Sequence, residues 1–169
     1  MYYNVEKIIT NEDRHELIDC YNSLPSNVAH TDYNLYNIDK RYIRQEPPNA
    51  IRKIEQHANR SVYSHYFVMY HEGSYTRMHT DNDDAIGLTI VTLVDTVDLV
   101  GGETLALVPA KMPEEKKGYQ KGNDHKGRVI PRVIRMNVGD SVIYDRSLMH
   151  GVSEVEKGKR LVLVSWFRR

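Results

Sequence analysis

The sequence predicts a mainly β fold with a smaller α-helical part, and two observations support this prediction. From residue 66 onward, short runs rich in β-branched and aromatic residues alternate with turn residues, which is typical of β-sandwiches and barrels. A helical spacing of apolar residues is found in the N-terminal third instead. A chain of 169 residues with 40% hydrophobic residues can bury one sizeable core. We therefore expect a single domain, 1–169, in which residues 1–65 form a helical support and residues 66–169 form the β core.

Two helices are predicted in the N-terminal third. Asn11 can cap a helix that extends to about Ser23, and Pro48 lies in the first turn of a second helix. Each helix carries an apolar stripe, formed by Leu17, Ile18, Tyr21 and Leu24 in the first and by Ile51, Ile54 and Ala58 in the second. We expect both stripes to pack against the sheet rather than to bind a partner. The histidines on or near these helices are interpreted as structural or exposed: His15, His57 and His65.

Short strands are predicted along the rest of the chain. A strand over residues 66–70 is followed by the turn Glu72-Gly73-Ser74 and by a second strand over residues 75–81. The remaining predicted strands cover residues 86–94, 101–109, 128–138, 140–144, 150–155 and 160–167, with Gly139-Asp140 and Glu156-Lys157-Gly158 as turns.

The last predicted strand places a cation among apolar side chains. Arg160 shares one face of this strand with Val162, Val164 and Trp166, and the opposite face is also largely apolar. We expect the strand to be covered on both sides, and a buried cation then needs an anionic partner. Two interpretations remain open: Arg160 reaches solvent or pairs with an Asp or Glu at the strand's end, or its guanidinium binds a ligand carboxylate in a bidentate manner.

A metal site is predicted from His79-Thr80-Asp81 together with His150. On an extended strand, side chains at positions i and i+2 point the same way, so His79 and Asp81 can reach one ion. Two imidazoles and one carboxylate on one face of Fe(II) leave coordination positions open for a co-substrate and dioxygen.

Other candidate ligands are weaker. The His-x-Asp pattern alone is common, and a second copy, His30-Thr31-Asp32, lies among turn-forming residues and is interpreted as a solvated loop. Asp83 and Asp84 follow the first copy and are expected to be solvated turn residues rather than metal ligands.

These features resemble the Fe(II)- and 2-oxoglutarate-dependent dioxygenases and, within them, the prolyl 4-hydroxylase-like group. The matching elements lie between residues 66 and 167: Tyr70-x-x-Gly73, His79-x-Asp81, Gly101-Gly102-Glu103-Thr104, Gly139-Asp140, His150, Arg160 and Trp166. The resemblance implies a double-stranded β-helix core, that is, a jelly-roll, cupin-like fold, with the N-terminal helices packed on its sheet.

The resemblance also implies roles for these residues. His79, Asp81 and His150 would bind Fe(II), and Arg160 would pair with the distal carboxylate of 2-oxoglutarate. Tyr70 matches a tyrosine that donates its hydroxyl to the same carboxylate, and Thr104 is a candidate for lining the co-substrate pocket. Trp166 matches a tryptophan of the family's final strand that either packs structurally or contacts substrate.

Three departures from the family's patterns narrow the reaction. Many prolyl hydroxylases have lysine at the position of Arg160, whereas arginine is common there in the wider superfamily, so the co-substrate assignment is kept and the prolyl assignment is weakened. Nucleic-acid demethylases usually place a second arginine at the position of Trp166, so this chain departs from the demethylase pattern there. Because Asp81 is present, a halogenating enzyme, which gives up this carboxylate, is not expected.

The resemblance therefore implies hydroxylation of a peptidyl residue, with proline among the candidates, or of a small molecule. Oxidative decarboxylation of 2-oxoglutarate to succinate and carbon dioxide would accompany it, with dioxygen as co-substrate and an ascorbate requirement left open. Two alternatives remain: a non-catalytic, cupin-like metal- or ligand-binding module, and a nucleic-acid demethylase of the same superfamily.

Composition adds few constraints on partners and location. The chain carries 23 basic and 23 acidic residues, so a nucleic-acid partner is not expected, and its oligomeric state is left open. The single cysteine, Cys20, and the lack of a membrane-length apolar stretch or signal peptide predict a cytoplasmic protein. Residues 111–126 are rich in lysine and glycine and are interpreted either as a lid over the site or as a disordered loop tip.

Overall fold

The computed structural model describes residues 2–109 and 129–169. In these two segments the helices are α1 (Asn11–Ser23) and α2 (Asn49–Ala58). The strands are β1 (Tyr3–Glu6), β2 (Val28–Asp32), β3 (Leu35–Tyr42), β4 (Val62–His79), β5 (Ile86–Gly101), β6 (Thr104–Pro109), β7 (Val129–Ile134), β8 (Ser141–Asp145), β9 (Met149–Val152) and β10 (Val155–Arg168). The mainly β prediction is confirmed.

The strands form one curled antiparallel sheet. Its order is β1-β8-β5-β10-β4-β9-β6-β7, and β3 pairs with both β2 and β4. The long strand β10 lies between β4 and β5, so that Arg160 is opposite Tyr70 on one side and opposite Thr96 on the other. Both faces of β10 are covered, as its alternating apolar pattern predicts, because Leu161, Leu163 and Phe167 pack with the helices and Val162 and Val164 pack in a second apolar cluster on the opposite face.

The predicted turn at Glu72-Gly73-Ser74 is instead part of one continuous strand, β4. Gly73 adopts φ 82, which favours glycine, and it lies in a bulge of β4 in which residues 71–74 are opposite the single β3 residue Asn37, which itself has φ 51. The hydroxyl of Ser74 donates to the backbone carbonyl of Asn37 and accepts from the backbone N–H of His71. Because β3 pairs with β4 on both sides of Gly73, turn-forming residues produce a bulge here rather than a chain reversal.

The two helices cover the outer face of the sheet. The buried side chains of this layer are Leu17, Tyr21, Ala50, Ile51 and Ile54 from the helices, which pack with Phe67, Ile90, Val94, Leu161, Leu163 and Phe167 from the sheet. Ile18, Leu24 and Ala58 are partly buried against the same cluster. The prediction that both apolar stripes pack on the sheet is thus confirmed.

The start of α1 differs by one residue from the prediction. Thr10 is the N-cap rather than Asn11, and it forms a capping box in which its side chain accepts from Asp13 N–H and the Asp13 carboxylate accepts from Thr10 N–H. Pro48 precedes the first residue of α2 as its N-cap. Both helices nevertheless begin and end close to the predicted positions.

The N-terminal third is less helical than expected, because β1, β2, β3 and the start of β4 also lie in it. The segment His30-Thr31-Asp32, interpreted as a loop, belongs to β2, whose partner is β3. A short stretch of turn-forming residues can therefore be a strand when a neighbouring strand pairs with it.

The other predicted strands lie close to observed ones. β5 is longer than predicted because it pairs with β10 along its whole length, and the predicted strand at 150–155 is divided between β9 and β10. The lysine-rich loop at 111–126 lies outside the described residues. Within the described segments, neither helix is long and apolar enough to cross a membrane.

Candidate active site

Two neighbouring strands bring the predicted histidines together. β4 and β9 pair so that His79 is directly opposite His150, and the two imidazole rings lie 4.4 Å apart between centroids. Gly151, next to His150, permits this approach, because a Cβ atom there would lie 2.8 Å from the Thr76 carbonyl oxygen. Asp81 lies just beyond the end of β4, and its backbone N–H donates to the carbonyl of Arg146.

The three side chains converge on one point. Each offers a ligand atom, and these atoms lie within 4.8 Å of one another. Oδ1 of Asp81 is 3.7 Å from Nε2 of His79 and 3.8 Å from Nε2 of His150. Two imidazole nitrogens and one carboxylate oxygen form a donor set suited to a divalent transition metal with open coordination positions.

Backbone carbonyls select the tautomer of both histidines. Nδ1 of His79 lies 2.8 Å from the carbonyl oxygen of Arg77, and Nδ1 of His150 lies 2.9 Å from that of Leu148. Since a carbonyl oxygen only accepts hydrogen bonds, each Nδ1 carries the hydrogen and each Nε2 presents its lone pair to the shared point. Both imidazoles are therefore oriented with Nε2 toward the shared point, as metal ligands require.

A hydrogen bond from strand β5 likewise orients the carboxylate of Asp81. Its Oδ2 accepts a hydrogen bond of 2.6 Å from the hydroxyl of Thr89 on β5, and the aspartate is only 6% exposed. Oδ1 is thus the oxygen that faces the histidines. The sequence analysis missed Thr89, because a threonine on a predicted strand carries no local signal of its partner.

The surroundings of His150 favour its neutral form. Burial lowers the pKa of His150, and the neighbouring imidazole of His79 acts in the same direction, while the carboxylate of Asp81 opposes them. The ring of Tyr144 packs against His150 with 4.6 Å between centroids. A neutral imidazole is the form that binds a metal.

Arg160 lies in the same cavity and is 2% exposed. One end of its guanidinium, Nη2, donates to the hydroxyl of Thr104 at 2.5 Å, while Nη1 is buried without a hydrogen-bond partner among the described residues. No carboxylate forms an ion pair with Arg160 in residues 2–109 or 129–169, so of the two interpretations left open, the one with an Asp or Glu partner finds no such partner there. Burial lowers the pKa of Arg160, but an arginine side chain stays charged in proteins.

Tyr70 faces Arg160 across the β4–β10 pair. The guanidinium carbon lies 5.6 Å from the centre of the Tyr70 ring, and the Tyr70 hydroxyl shares a 2.7 Å hydrogen bond with that of Thr76. Burial raises the pKa of Tyr70, so its hydroxyl is neutral and can donate. This end of the cavity therefore concentrates donors, which is what an anionic carboxylate requires.

One cavity connects all seven residues that the sequence analysis selected. His79, Asp81, His150, Tyr70, Thr104, Arg160 and Trp166 line it together with apolar side chains such as Val91, Val142, Val162 and Val164. Trp166 lies at the end of the cavity away from Arg160, with its ring 5.1 Å from that of Tyr66. The geometry thus brings the selected residues to one site.

The weaker ligand candidates lie elsewhere. Asp83 accepts a 2.6 Å hydrogen bond from the hydroxyl of Tyr63, and Asp84 pairs with Arg146. Asp32 pairs with Lys40 at 2.9 Å, and His30 bonds to Asn37. In the described segments, the sole group of three or more potential ligands close enough to share an ion is His79, Asp81 and His150.

The curled antiparallel sheet and its two-histidine, one-carboxylate cluster define a class of jelly-roll proteins with a candidate metal centre. The sequence model of the 2OG-Fe(II) oxygenase superfamily matches residues 64–168, which is more than half of the chain. The chain therefore belongs to the 2OG-Fe(II) oxygenase superfamily. Among curated proteins, none matches this sequence.

Solved structures share the fold. A prolyl-4-hydroxylase from Pseudomonas putida is 16% identical, with a TM-score of 0.66 and coverage of 99% of this chain and 92% of that one. The viral collagen prolyl hydroxylase from Paramecium bursaria Chlorella virus-1, in complex with 2OG, is 16% identical, with a TM-score of 0.67 and coverage of 99% and 96%. HygX from Streptomyces hygroscopicus, with nickel, 2-oxoglutarate and hygromycin B bound, is 10% identical, with a TM-score of 0.68 and coverage of 99% and 82%. These likenesses confirm the jelly-roll fold.

Proposed function

We propose that this chain is an Fe(II)- and 2-oxoglutarate-dependent dioxygenase that hydroxylates a peptidyl residue or a small molecule. The observation that carries the proposal is one cavity that contains both a convergent His79, Asp81, His150 donor set and the buried, incompletely bonded guanidinium of Arg160. A metal-binding module without turnover has no need for that cation, and burying it is costly.

His79, Asp81 and His150 are proposed to hold the iron through Nε2, Oδ1 and Nε2. The carbonyls of Arg77 and Leu148 and the hydroxyl of Thr89 hold these three side chains in orientation. When bound, iron and 2-oxoglutarate supply the oxidative chemistry, in which decarboxylation to succinate and carbon dioxide accompanies hydroxylation of the substrate. The protein supplies the geometry of the three ligands.

Arg160 is proposed to bind the distal carboxylate of 2-oxoglutarate through Nη1. Thr104 holds the other end of the guanidinium, and the Tyr70 hydroxyl, supported by Thr76, donates to the same carboxylate. The valines that line the cavity, Val91, Val142, Val162 and Val164, exclude water from this contact and thereby strengthen it.

The wider setting agrees with this assignment. The helices pack on the same sheet that carries the site, which supports one domain over residues 1–169. A reducing compartment such as the cytoplasm fits a chain whose single cysteine is free and a metal that must stay Fe(II). If the substrate is a peptide, proline is one candidate for the residue that is hydroxylated.

The test is an anaerobic titration of the metal-free protein with Fe(II) and then 2-oxoglutarate, monitored by the visible metal-to-ligand charge-transfer band. We expect the band in the wild type, its loss in His150→Ala, and at least a tenfold higher 2-oxoglutarate requirement in Arg160→Ala. His15→Ala and Arg44→Ala, which change exposed residues of the same types, serve as matched controls. Under air with ascorbate, succinate formation should follow the same ranking.

The absence of a band at all concentrations would contradict the oxygenase proposal. A band that persists unchanged in Arg160→Ala would contradict the assignment of the co-substrate carboxylate. Binding of iron without any response to 2-oxoglutarate would instead favour the cupin-like binding module.

A further inference from the structure

Two polar atoms near the candidate metal centre have no partner among the described residues. Nε1 of Trp166 and Oγ of Ser64 are buried and make no hydrogen bond within residues 2–109 and 129–169. Trp166 on β10 is directly opposite Ser64 on β4. A buried donor or acceptor that stays unpaired costs free energy, so such a pair at a cavity indicates a ligand that satisfies both atoms.

The pair lies at the far end of the row that begins with Arg160. Arg160 is opposite Tyr70, Val162 opposite Val68, Val164 opposite Tyr66, and Trp166 opposite Ser64. Since a strand rises about 3.3 Å per residue, the two ends of this row are roughly 20 Å apart. The donors around Arg160 and the pair formed by Trp166 and Ser64 are therefore too far apart to bind the same ligand group.

The pair borders a cleft that also includes ligand candidates of the metal. Ser64 and Trp166 line this cleft together with His79 and Asp81. The tryptophan ring is held between two tyrosines, 6.2 Å from the ring of Tyr63 and 5.1 Å from that of Tyr66. Its N–H is thus presented in a defined orientation, which is what a specificity contact requires.

The charged groups of the cleft are already paired. Lys40 lies 2.9 Å from Asp32 and over the rings of Tyr42 and Tyr66, and Asp83 accepts from the hydroxyl of Tyr63. Among the described residues that line this cleft, Lys40 is the sole Lys or Arg. A substrate anion would consequently have no unpaired lysine or arginine in the described lining, and a neutral group is the better match.

We propose that Trp166 and Ser64 form a subsite for an uncharged amide of the substrate; this inference rests on the proposed function. The indole N–H donates to the amide oxygen, and the Ser64 hydroxyl, which both donates and accepts, pairs with the same amide. The amide belongs either to a peptide or to a small molecule, and Trp166 and Ser64 are specificity-determining residues in both cases.

The experiment uses the fact that Trp166 is the chain's one tryptophan. In a ¹⁵N–¹H correlation spectrum, the full chain loaded with diamagnetic Zn(II) and 2-oxoglutarate gives a single indole N–H signal. The probes are N-methylacetamide, with one amide, and N-acetylglycine N-methylamide, a peptide-like compound with two. Acetate and dimethylammonium serve as charged controls.

We expect a saturable downfield shift of the indole proton with both amides and none with the charged probes. Stronger binding of the peptide-like probe would indicate a peptide source, and equal binding a small-molecule source. Ser64→Ala should lower the affinity for both amide probes about fivefold, as expected for the loss of one neutral hydrogen bond, and Ser64→Thr should restore this affinity. Ser61→Ala, the same change at an exposed serine of the preceding segment, should leave it unchanged.

An indole signal that does not respond to amides, or that responds more strongly to acetate, would overturn the proposal. The response of the wild-type indole signal to amides, compared with its response to charged probes, tests the proposal even if Ser64→Ala fails to fold. The charge-transfer band separates this inference from the proposed function: a band without an amide response contradicts the subsite alone, and an amide response without a band contradicts the oxygenase assignment alone.

Discussion

Thr89 donates its hydroxyl hydrogen to Oδ2 of Asp81 over 2.6 Å, and both side chains are buried. This bond joins the middle of the sheet to the chain segment that follows β4. It leaves Oδ1 of Asp81 as the oxygen that faces His79 and His150. The orientation of the carboxylate thus depends on a residue from a different strand.

Replacing Thr89 with valine should weaken metal binding about 10- to 100-fold, because the carboxylate loses the partner that orients it. Metal affinity is measured by competition with a chromophoric chelator. Thr92→Val is the matched control, since Thr92 is also buried on β5 but bonds to Ser141 instead. If both variants lose the same affinity, the loss reflects the stability of β5 and not the orientation of Asp81.

Replacing Arg160 with methionine should raise the stability of the protein without ligands while abolishing its stabilisation by 2-oxoglutarate. The guanidinium is 2% exposed and no carboxylate pairs with it among the described residues, so an apolar side chain of similar length removes a desolvation cost of about 1–3 kcal/mol. Urea unfolding, with and without Zn(II) and 2-oxoglutarate, measures both effects. A ligand-free variant less stable than the wild type would contradict the prediction that the buried guanidinium is destabilising in the absence of 2-oxoglutarate.

Replacing Gly151 with alanine should weaken metal binding at least about tenfold, because small displacements at a catalytic site are costly. The added Cβ would lie 2.8 Å from the Thr76 carbonyl oxygen and 2.9 Å from the Met78 sulfur, so β9 must move away from β4 together with His150. Gly139→Ala is the comparison: its φ of 93 makes alanine unfavourable, but no atom lies within 4 Å of the added Cβ. That variant should lose stability and keep its metal affinity. Equal metal affinity in Gly151→Ala and the wild type would show that the strand contact tolerates a methyl group.

Stability should fall below about pH 6.5 in a manner that depends on His65. Its Nδ1 lies 2.9 Å from the Ser165 hydroxyl and its Nε2 lies 3.0 Å from Glu55. Burial lowers the pKa of His65 below its usual value, although the hydrogen bond and the charge of Glu55 oppose this effect. The unfolded chain therefore binds the proton more readily, and the stability contributed above about pH 6.5 is lost as the pH falls toward the folded-state pKa.

The variant His65→Gln tests this linkage. We expect the free energy of unfolding of the wild type to exceed that of the variant most at pH 7.5, with the difference decreasing toward pH 5. Urea unfolding at several pH values gives this difference, in which the contributions of all groups shared by the two proteins cancel. Parallel curves for the two proteins would rule out a titrating role for His65.

Much of the fold follows from local patterns. The apolar stripes of α1 and α2 and the alternation in β10 are visible in the sequence because burial selects residues with the period of the element. The continuity of β4 is not visible in the sequence, because it depends on β3, a distant segment that pairs with β4 both before and after Gly73. The strand character of His30-Thr31-Asp32 has the same cause, since β2 exists through its pairing with β3.

The sequence by itself determined which residues could form the site: His79 with Asp81, His150, and a cation at the start of an apolar strand. Those signals are visible because metal ligation and carboxylate binding require particular side-chain types, and His79 and Asp81 also have the i, i+2 spacing of one strand, whereas His150 joins them only through the pairing of β9 with β4. The tertiary structure decided how they are oriented, through the carbonyls of Arg77 and Leu148 and the hydroxyl of Thr89, and it placed Ser64 opposite Trp166. Hydrogen-bond partners from distant segments become neighbours only when the strands pair, so no local pattern can predict them.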